Sequence, residues 1–217
     1  MRVLLLGATG RTGKLVLQQL LKLRHEVRVL VRDKNKISTT SDLLLLVEGN
    51  PTDEKALRKA ATNCEIVICV LNISRKSDFP WSKLKTPPTL LSDTMKILVT
   101  IAKEIELKKI IVCTAWGVNE TKKDLPGWFR WFIDHSNIGV AYADHERQEE
   151  ILASSFINYV IVRPVGLTNS EKEKPIHTSK NNSPKPRLTI SRLGTAKFMI
   201  SQLTDSKFDR QAVTIFE

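Results

Sequence analysis

Three glycines at fixed spacing carry the most specific chemistry in this chain. Gly7-Ala8-Thr9-Gly10-Arg11-Thr12-Gly13 is a G-x-x-G-x-x-G turn. Such a turn bends tightly, brings backbone N–H groups up to a pyrophosphate, and leaves the next helix presenting unpaired donors and its positive dipole end. The competing reading is a glycine-rich turn that holds nothing. About twenty residues further on, a chain selecting NAD is expected to place an acid for the ribose 2′-hydroxyl. Here the sequence is Val31-Arg32-Asp33-Lys34. Arg32, with Lys34, Lys36 and Arg11 near it in sequence or in the turn, suits a 2′-phosphate, so NADP(H) is the expected cofactor. The alternative leaves Arg32 as a surface charge and gives the ribose to Asp33.

This turn works only between a strand and a helix, and the hydrophobic period supplies both. Val3 to Leu6 is a short apolar run stopped by Gly7, and Thr12 to Leu23 repeats Leu and Val at helical spacing. Val27–Val31 and Leu43–Val47 read as strands, Asp53–Thr62 as a helix, and Glu65–Leu71 as a buried strand. Leu90–Leu107 reads as a helix, Ile110–Cys113 as a strand, and Tyr142–Ala153 as a helix. A strand at Tyr159–Val162 ends at Pro164, Arg192–Leu203 is helical, and Ala212–Phe216 is a last strand. Six or seven short strands alternating with helices predict a single-domain α/β fold. It is Rossmann-like and doubly wound, with a mostly parallel sheet covered by helices on both faces. One domain over residues 1–217 is expected, with a small C-terminal substrate-side portion from about residue 164. The stretch from Thr168 to Pro186 reads as a mobile surface insertion.

Composition limits the function classes. The 217 residues carry 34 Lys and Arg against 23 Asp and Glu, a net charge of +11. These cations are spread along the chain and no nucleic-acid motif accompanies them, so nucleic acid is not expected as the main ligand. A basic surface does attract anionic cofactors and substrates. No apolar run approaches the ~18 residues of a membrane span, and Val3–Leu6 is too short for a signal-peptide core. A soluble, cytoplasmic protein without a membrane partner is expected. Cys64, Cys69 and Cys113 lack C-x-x-C spacing and read as reduced core thiols. No metal site is expected.

Taken together, these residues make the chain resemble an atypical short-chain dehydrogenase/reductase of the NmrA-like, NAD(P)H-binding group, and within it the biliverdin and flavin reductases. The matching pieces are the Gly7–Gly13 turn, Val29-Leu30-Val31-Arg32-Asp33, Val112-Cys113-Thr114, Arg163-Pro164 and Leu193-Gly194-Thr195-Ala196-Lys197-Phe198-Met199. The resemblance implies that Gly7, Thr9, Gly10, Arg11 and Thr12, with Gly13 closing the turn, bind the pyrophosphate and that Arg32 binds the 2′-phosphate. It places Asn50 near the adenine and Leu71 and Asn72 beside the inner ribose. Cys113, Thr114, Ala115, Pro164 and Val165 would flank the nicotinamide.

Departures from the family pattern bear on the chemistry. Catalytically complete members use Tyr-x-x-x-Lys, where the lysine cation lowers the phenol pKa. Tyr142 is followed at that spacing by Glu146, which favours the protonated phenol, so Tyr142 reads as a packing or hydrogen-bonding residue ahead of a catalytic one. The serine and histidine of the flavin-reductase pattern are replaced by Ala115 and Val165, which leaves Thr114 as the local hydroxyl to nominate as a donor. Asp144, His145 and Glu146 cannot all face one site, and His145 reads as a surface residue or a partner behind the site. Trp128, Phe129, Trp131 and Phe132 suggest an apolar lid, a contact between subunits in a homodimer, or plain packing of a monomer. The expected function is an NADPH-dependent oxidoreductase that reduces a small planar acceptor such as a flavin or quinone. A non-catalytic NADP(H) sensor of the NmrA type is the alternative, and a nucleotide-sugar epimerase or dehydratase is the third.

Overall fold

The computed structural model describes residues 1–217. The chain forms β1 (Arg2–Leu6), α1 (Arg11–Lys22), β2 (Glu26–Val31), β3 (Leu44–Glu48), α2 (Glu54–Ala61), β4 (Ile66–Cys69), α3 (Leu90–Ala102) and β5 (Lys109–Cys113). There follow α4 (Gly127–Asp134), α5 (Ile138–Ala153), β6 (Asn158–Pro164), β7 (Gly166–Thr168), β8 (His177–Ser179), β9 (Thr189–Ser191), α6 (Arg192–Ser201) and β10 (Gln211–Phe216). Eight strands make one sheet in the order β3-β2-β1-β4-β5-β6-β10-β8, and β7 pairs with β9 in a separate two-stranded ribbon. Every pairing in the large sheet is parallel except β10 with β8. This is the doubly wound α/β fold that the alternation of elements predicts.

Strand residues alternate between two cores, as the pleat requires. Val3, Leu5, Val29, Ile68, Ile111 and Val162 face the layer of α1 and α6. Leu4, Leu6, Leu30, Val67, Ile110 and Ile161 face the layer holding α2, α3 and Leu152 of α5. Both faces are therefore sealed, and the central strands read as continuous apolar runs for that reason. Cys64, Cys69 and Cys113 are buried and unpaired within these cores. No helix is long and apolar enough to cross a membrane.

Three expectations need correction. The segment 168–186 is not wholly an insertion, because His177–Ser179 adds an antiparallel edge strand against β10. With β7 and β9, it is only three residues long, too short for a period of two to register. Gly127–Asp134, where no element was expected, forms a helix, and α5 starts at Ile138, four residues before the expected Tyr142.

Candidate cofactor and acceptor cleft

Chain order places a gap where β1 hands over to β4: the chain winds outward through β2 and β3, then returns to the other side of β1. Ligands of open α/β sheets bind outside the strand carboxyl ends at such a switch point. A cleft of about 430 Å³ lies there, lined by the β1–α1 turn and the ends of β2, β4 and β5. At the β1–α1 turn Gly7 has φ +90°, and a Cβ there would stand 2.8 Å from the Val70 carbonyl. A Cβ on Gly13 would stand 2.1 Å from the Gly7 oxygen. Only glycine permits this closeness of turn, helix and sheet. Gly10 N–H closes on the Gly7 carbonyl at 3.0 Å. The N–H groups of Arg11, Thr12 and Gly13 find no acceptor in the protein, and α1 has neither a side-chain cap nor an acid in its first turn. Those donors and the dipole fit a diphosphate anion.

Arg32 and Asn50 line the other end of the cleft, while Asp33 does not. The Asp33 carboxylate instead accepts the Asn35 N–H at 3.0 Å, capping the short 3₁₀ turn Lys34–Lys36. Arg32 is exposed and has no carboxylate partner.

Beyond the turn, the cleft runs past Leu71 and Asn72 after β4 and Cys113 and Thr114 after β5. Thr114 Oγ1 donates to Glu149 Oε1 at 2.7 Å. Glu149 is 3% exposed and is gripped by the Arg163 guanidinium, with Nε at 3.0 Å and Nη2 at 2.5 Å. Arg163 in turn reaches Glu120 at 2.5 and 3.2 Å. Thr114, nominated as a donor, thus has its proton engaged behind the cleft, and its free lone pair can only accept.

His145 is the residue that sequence reasoning misplaced. It is 3% exposed, not at the surface, and it lines the cleft beside Thr114. Its Nδ1 lies 3.2 Å from Gln148 Oε1, which only accepts, so Nδ1 carries the proton and Nε2 keeps a lone pair with no protein partner. Burial pushes its pKa below the ordinary histidine value, against the opposing pull of Gln148, Glu149 and Asp144. Its neighbour Asp144 points the other way, into the start of α3, accepting from Leu91 N at 2.7 Å and Ser92 Oγ at 2.6 Å. Helix α3 has no side-chain cap of its own, so Asp144 caps it from α5.

Gly7, Thr9, Gly10, Arg11, Thr12, Gly13, Arg32, Asn50, Leu71, Asn72, Cys113 and Thr114 are brought together in this one cleft. Ala115, Pro164 and Val165 lie close by along the chain but do not line it, and Val165 is buried in the α1/α6 core. Tyr142 is not brought in either: its hydroxyl donates to the Trp116 carbonyl at 3.2 Å, and burial pushes its pKa above the ordinary phenol value. Sequence reasoning also missed Leu167 and Arg192, which line the cleft from the C-terminal third. Arg192 is held by the Leu167 carbonyl at 3.4 Å and Asn169 Oδ1 at 2.6 Å. No local pattern flags it, because the short β7–β9 ribbon positions it.

The family model described as NAD(P)H-binding matches residues 7–206, nearly the whole chain. The chain belongs to this family. Membership bears out the NAD(P)H-binding resemblance, and the doubly wound fold agrees with it. Among curated relatives, Protein TIC 62, chloroplastic, of Arabidopsis thaliana is 27% identical over 193 residues, covering 79% of this chain and 28% of the relative. Its Pisum sativum namesake is 29% identical over 192 residues, covering 79% of this chain and 34% of the relative. The chain thus spans about a third of the length of these relatives or less. Among solved structures, a short-chain dehydrogenase/reductase from Veillonella parvula in complex with NADP superposes with TM-score 0.79 at 19% identity, over 100% of this chain and 94% of that one. ChuY, an anaerobilin reductase of Escherichia coli O157:H7, superposes with TM-score 0.81 at 17% identity, over 100% of this chain and 97% of that one. At these identities the likeness concerns the fold.

Proposed function

We propose that this family member is an NADPH-dependent reductase of a small planar acceptor, a flavin or a quinone. The observation carrying the reading is the β1–α1 turn, whose unsatisfied backbone donors stand at one end of the cleft with Arg32, while farther along Ile73, Leu90, Cys113 and Leu167 are interleaved with Asn72, Thr114, His145 and Arg192. Gly7, Thr9, Gly10, Arg11, Thr12 and Gly13 would hold the pyrophosphate, Arg32 the 2′-phosphate and Asn50 the adenosine side. Leu71, Asn72, Cys113, Thr114 and the adjoining Ala115, Pro164 and Val165 would frame the ribose and nicotinamide. Bound NADPH supplies the hydride.

The protein's share is then positioning and exclusion of water. Ile73, Leu90 and Leu167 give a flat acceptor an apolar seat within reach of the strand ends. His145, neutral and with a free Nε2, accepts a hydrogen bond from an N–H or O–H of that acceptor and orients it. This role needs no Tyr-Lys pair, in keeping with the seclusion of Tyr142. Mixing the protein with NADPH and a panel of flavins and quinones, and following NADPH absorbance, tests the reading. At least one acceptor should consume NADPH.

A second reading, an NADP(H)-binding sensor without turnover, is favoured by the engagement of both nominated hydroxyls, Thr114 with Glu149 and Tyr142 with Trp116. Tight NADP(H) binding without oxidation by any acceptor would establish it and remove the first.

A further inference from the structure

Beside the mouth of the cleft stands a surface that the reductase reading does not use. A hairpin-like loop, closed by the Arg75–Leu84 bridge, carries Phe79 and Trp81 at its tip. It is fastened to the α4–α5 junction: Trp81 Nε1 donates to the His135 carbonyl at 2.7 Å, and Asn137 Nδ2 donates to the Trp81 carbonyl at 3.0 Å. On the other side Asp78 pairs with Arg11 of the phosphate turn at 3.1 Å. Helix α4 turns Phe129 and Ile133 toward the core, and its Trp128, Trp131 and Phe132, at i, i+3 and i+4, occupy an adjoining face. Phe79, Trp81, Phe132, Phe129 and Trp128 form one chain of ring contacts 5.3–6.4 Å between centroids. Phe79 is 63% exposed, Trp81 46%, Trp128 68% and Trp131 58%.

So three of the four tryptophans are held out in water by ordered backbone contacts. A contiguous exposed apolar patch of this kind marks an interaction site. The loop and α4, with Lys85 just past the bridge, carry Lys76, Lys83, Lys85 and Arg130, all exposed and none in an ion pair, whereas the acids of the same segments, Asp78 and Asp134, are already paired, with Arg11 and Lys122. A two-fold contact between copies would set these cations against themselves. Indole rings ringed by lysine and arginine suit the headgroup zone of a bilayer carrying anionic lipid, where the rings enter the acyl boundary and the cations stay at the phosphates.

We propose that the Phe79–Trp81 tip and the outer face of α4 dock the protein peripherally on an anionic bilayer, with the cleft mouth at the membrane surface. Absence of a spanning helix does not oppose this, because a peripheral contact needs none. The inference is independent of turnover and is tested by binding.

The full chain is sedimented with phosphatidylcholine vesicles and with vesicles in which a third of the lipid is phosphatidylglycerol. Binding should appear with the anionic vesicles and fall steeply with salt. Trp128→Ser/Trp131→Ser and, separately, Lys83→Glu/Lys85→Glu should each weaken it by about tenfold or more. Retention of the NADP-induced rise in Tm would show that these variants are folded. Quenching of tryptophan fluorescence by lipids brominated on their chains should be strong in the parent and weaker in the Trp128/Trp131 variant, whose binding is reduced and which keeps only buried Trp116 and the tip residue Trp81. Equal sedimentation with both vesicle types, undiminished binding of the variants, or a concentration-dependent dimer abolished by the tryptophan substitutions would each overturn the proposal.

Discussion

Arg32 and Asp33 show how adjacent side chains part company. Both are candidates for the adenosine ribose, and they differ in placement: Arg32 lines the cleft, whereas Asp33 does not and its Oδ1 accepts the Asn35 N–H. On the proposed role, Arg32→Ala should weaken NADP by about ten- to a hundredfold, the worth of one charge-assisted contact, and change NAD little. Calorimetry with both dinucleotides checks this, and equal losses would refute it. The three cysteines make a second test. Burial pushes the thiols of Cys64 and Cys69 up to about 11 and that of Cys113 up to about 12. Native protein at pH 8 should therefore resist thiol reagents at all three, and all three should react once it is unfolded. His145 adds a pH dependence. Its native pKa lies below the unfolded value of about 6.5, so in the acid window between the two the unfolded chain holds the extra proton. Its contribution to stability is present above about pH 6.5 and is lost as pH falls toward and through the native value. Unfolding by denaturant from pH 7 to 5 should show a shallower loss for His145→Gln than for the parent.

Among the helices, α3 and α5 are joined by a device that neither announces. Leu90–Ala102 repeats apolar residues plainly enough to be read from sequence, yet its N-terminus is capped by Asp144, 53 positions after Leu91. Asp144 is 0% exposed and also meets Arg147 Nη2 at 3.0 Å. Asp144→Ala leaves Leu91 N–H and Ser92 Oγ without their buried partner and should cost about 3 kcal/mol, seen as a lower denaturant midpoint with an unchanged slope. Aromatic-rich α4 was harder to interpret. Its eight residues are apolar on two faces, one packed inward and one exposed, so periodicity could not separate core from surface.

Across the full assembly of sheet and layers, the switch between β1 and β4 fixes where a dinucleotide can lie, and binding there should couple to global stability. At a hundred times its Kd, NADP should add about 2.7 kcal/mol to unfolding, visible as a higher Tm. Raising ionic strength should weaken that effect, since the chain carries +11 and the phosphate end is cationic.

The seven longer strands, the two-sided burial and the glycine turn were legible in the amino-acid order, because pleat, helical period and glycine sterics act between residues a few positions apart, whereas the three-residue β7, β8 and β9 were not. Convergence was not. His145 entering the cleft, Asp144 capping a distant helix, Arg192 arriving behind a three-residue strand and Tyr142 turning to the Trp116 carbonyl all depend on packing between segments far apart in the chain. That packing is set by the registers of β5, β6 and α5 together, and no local pattern encodes it.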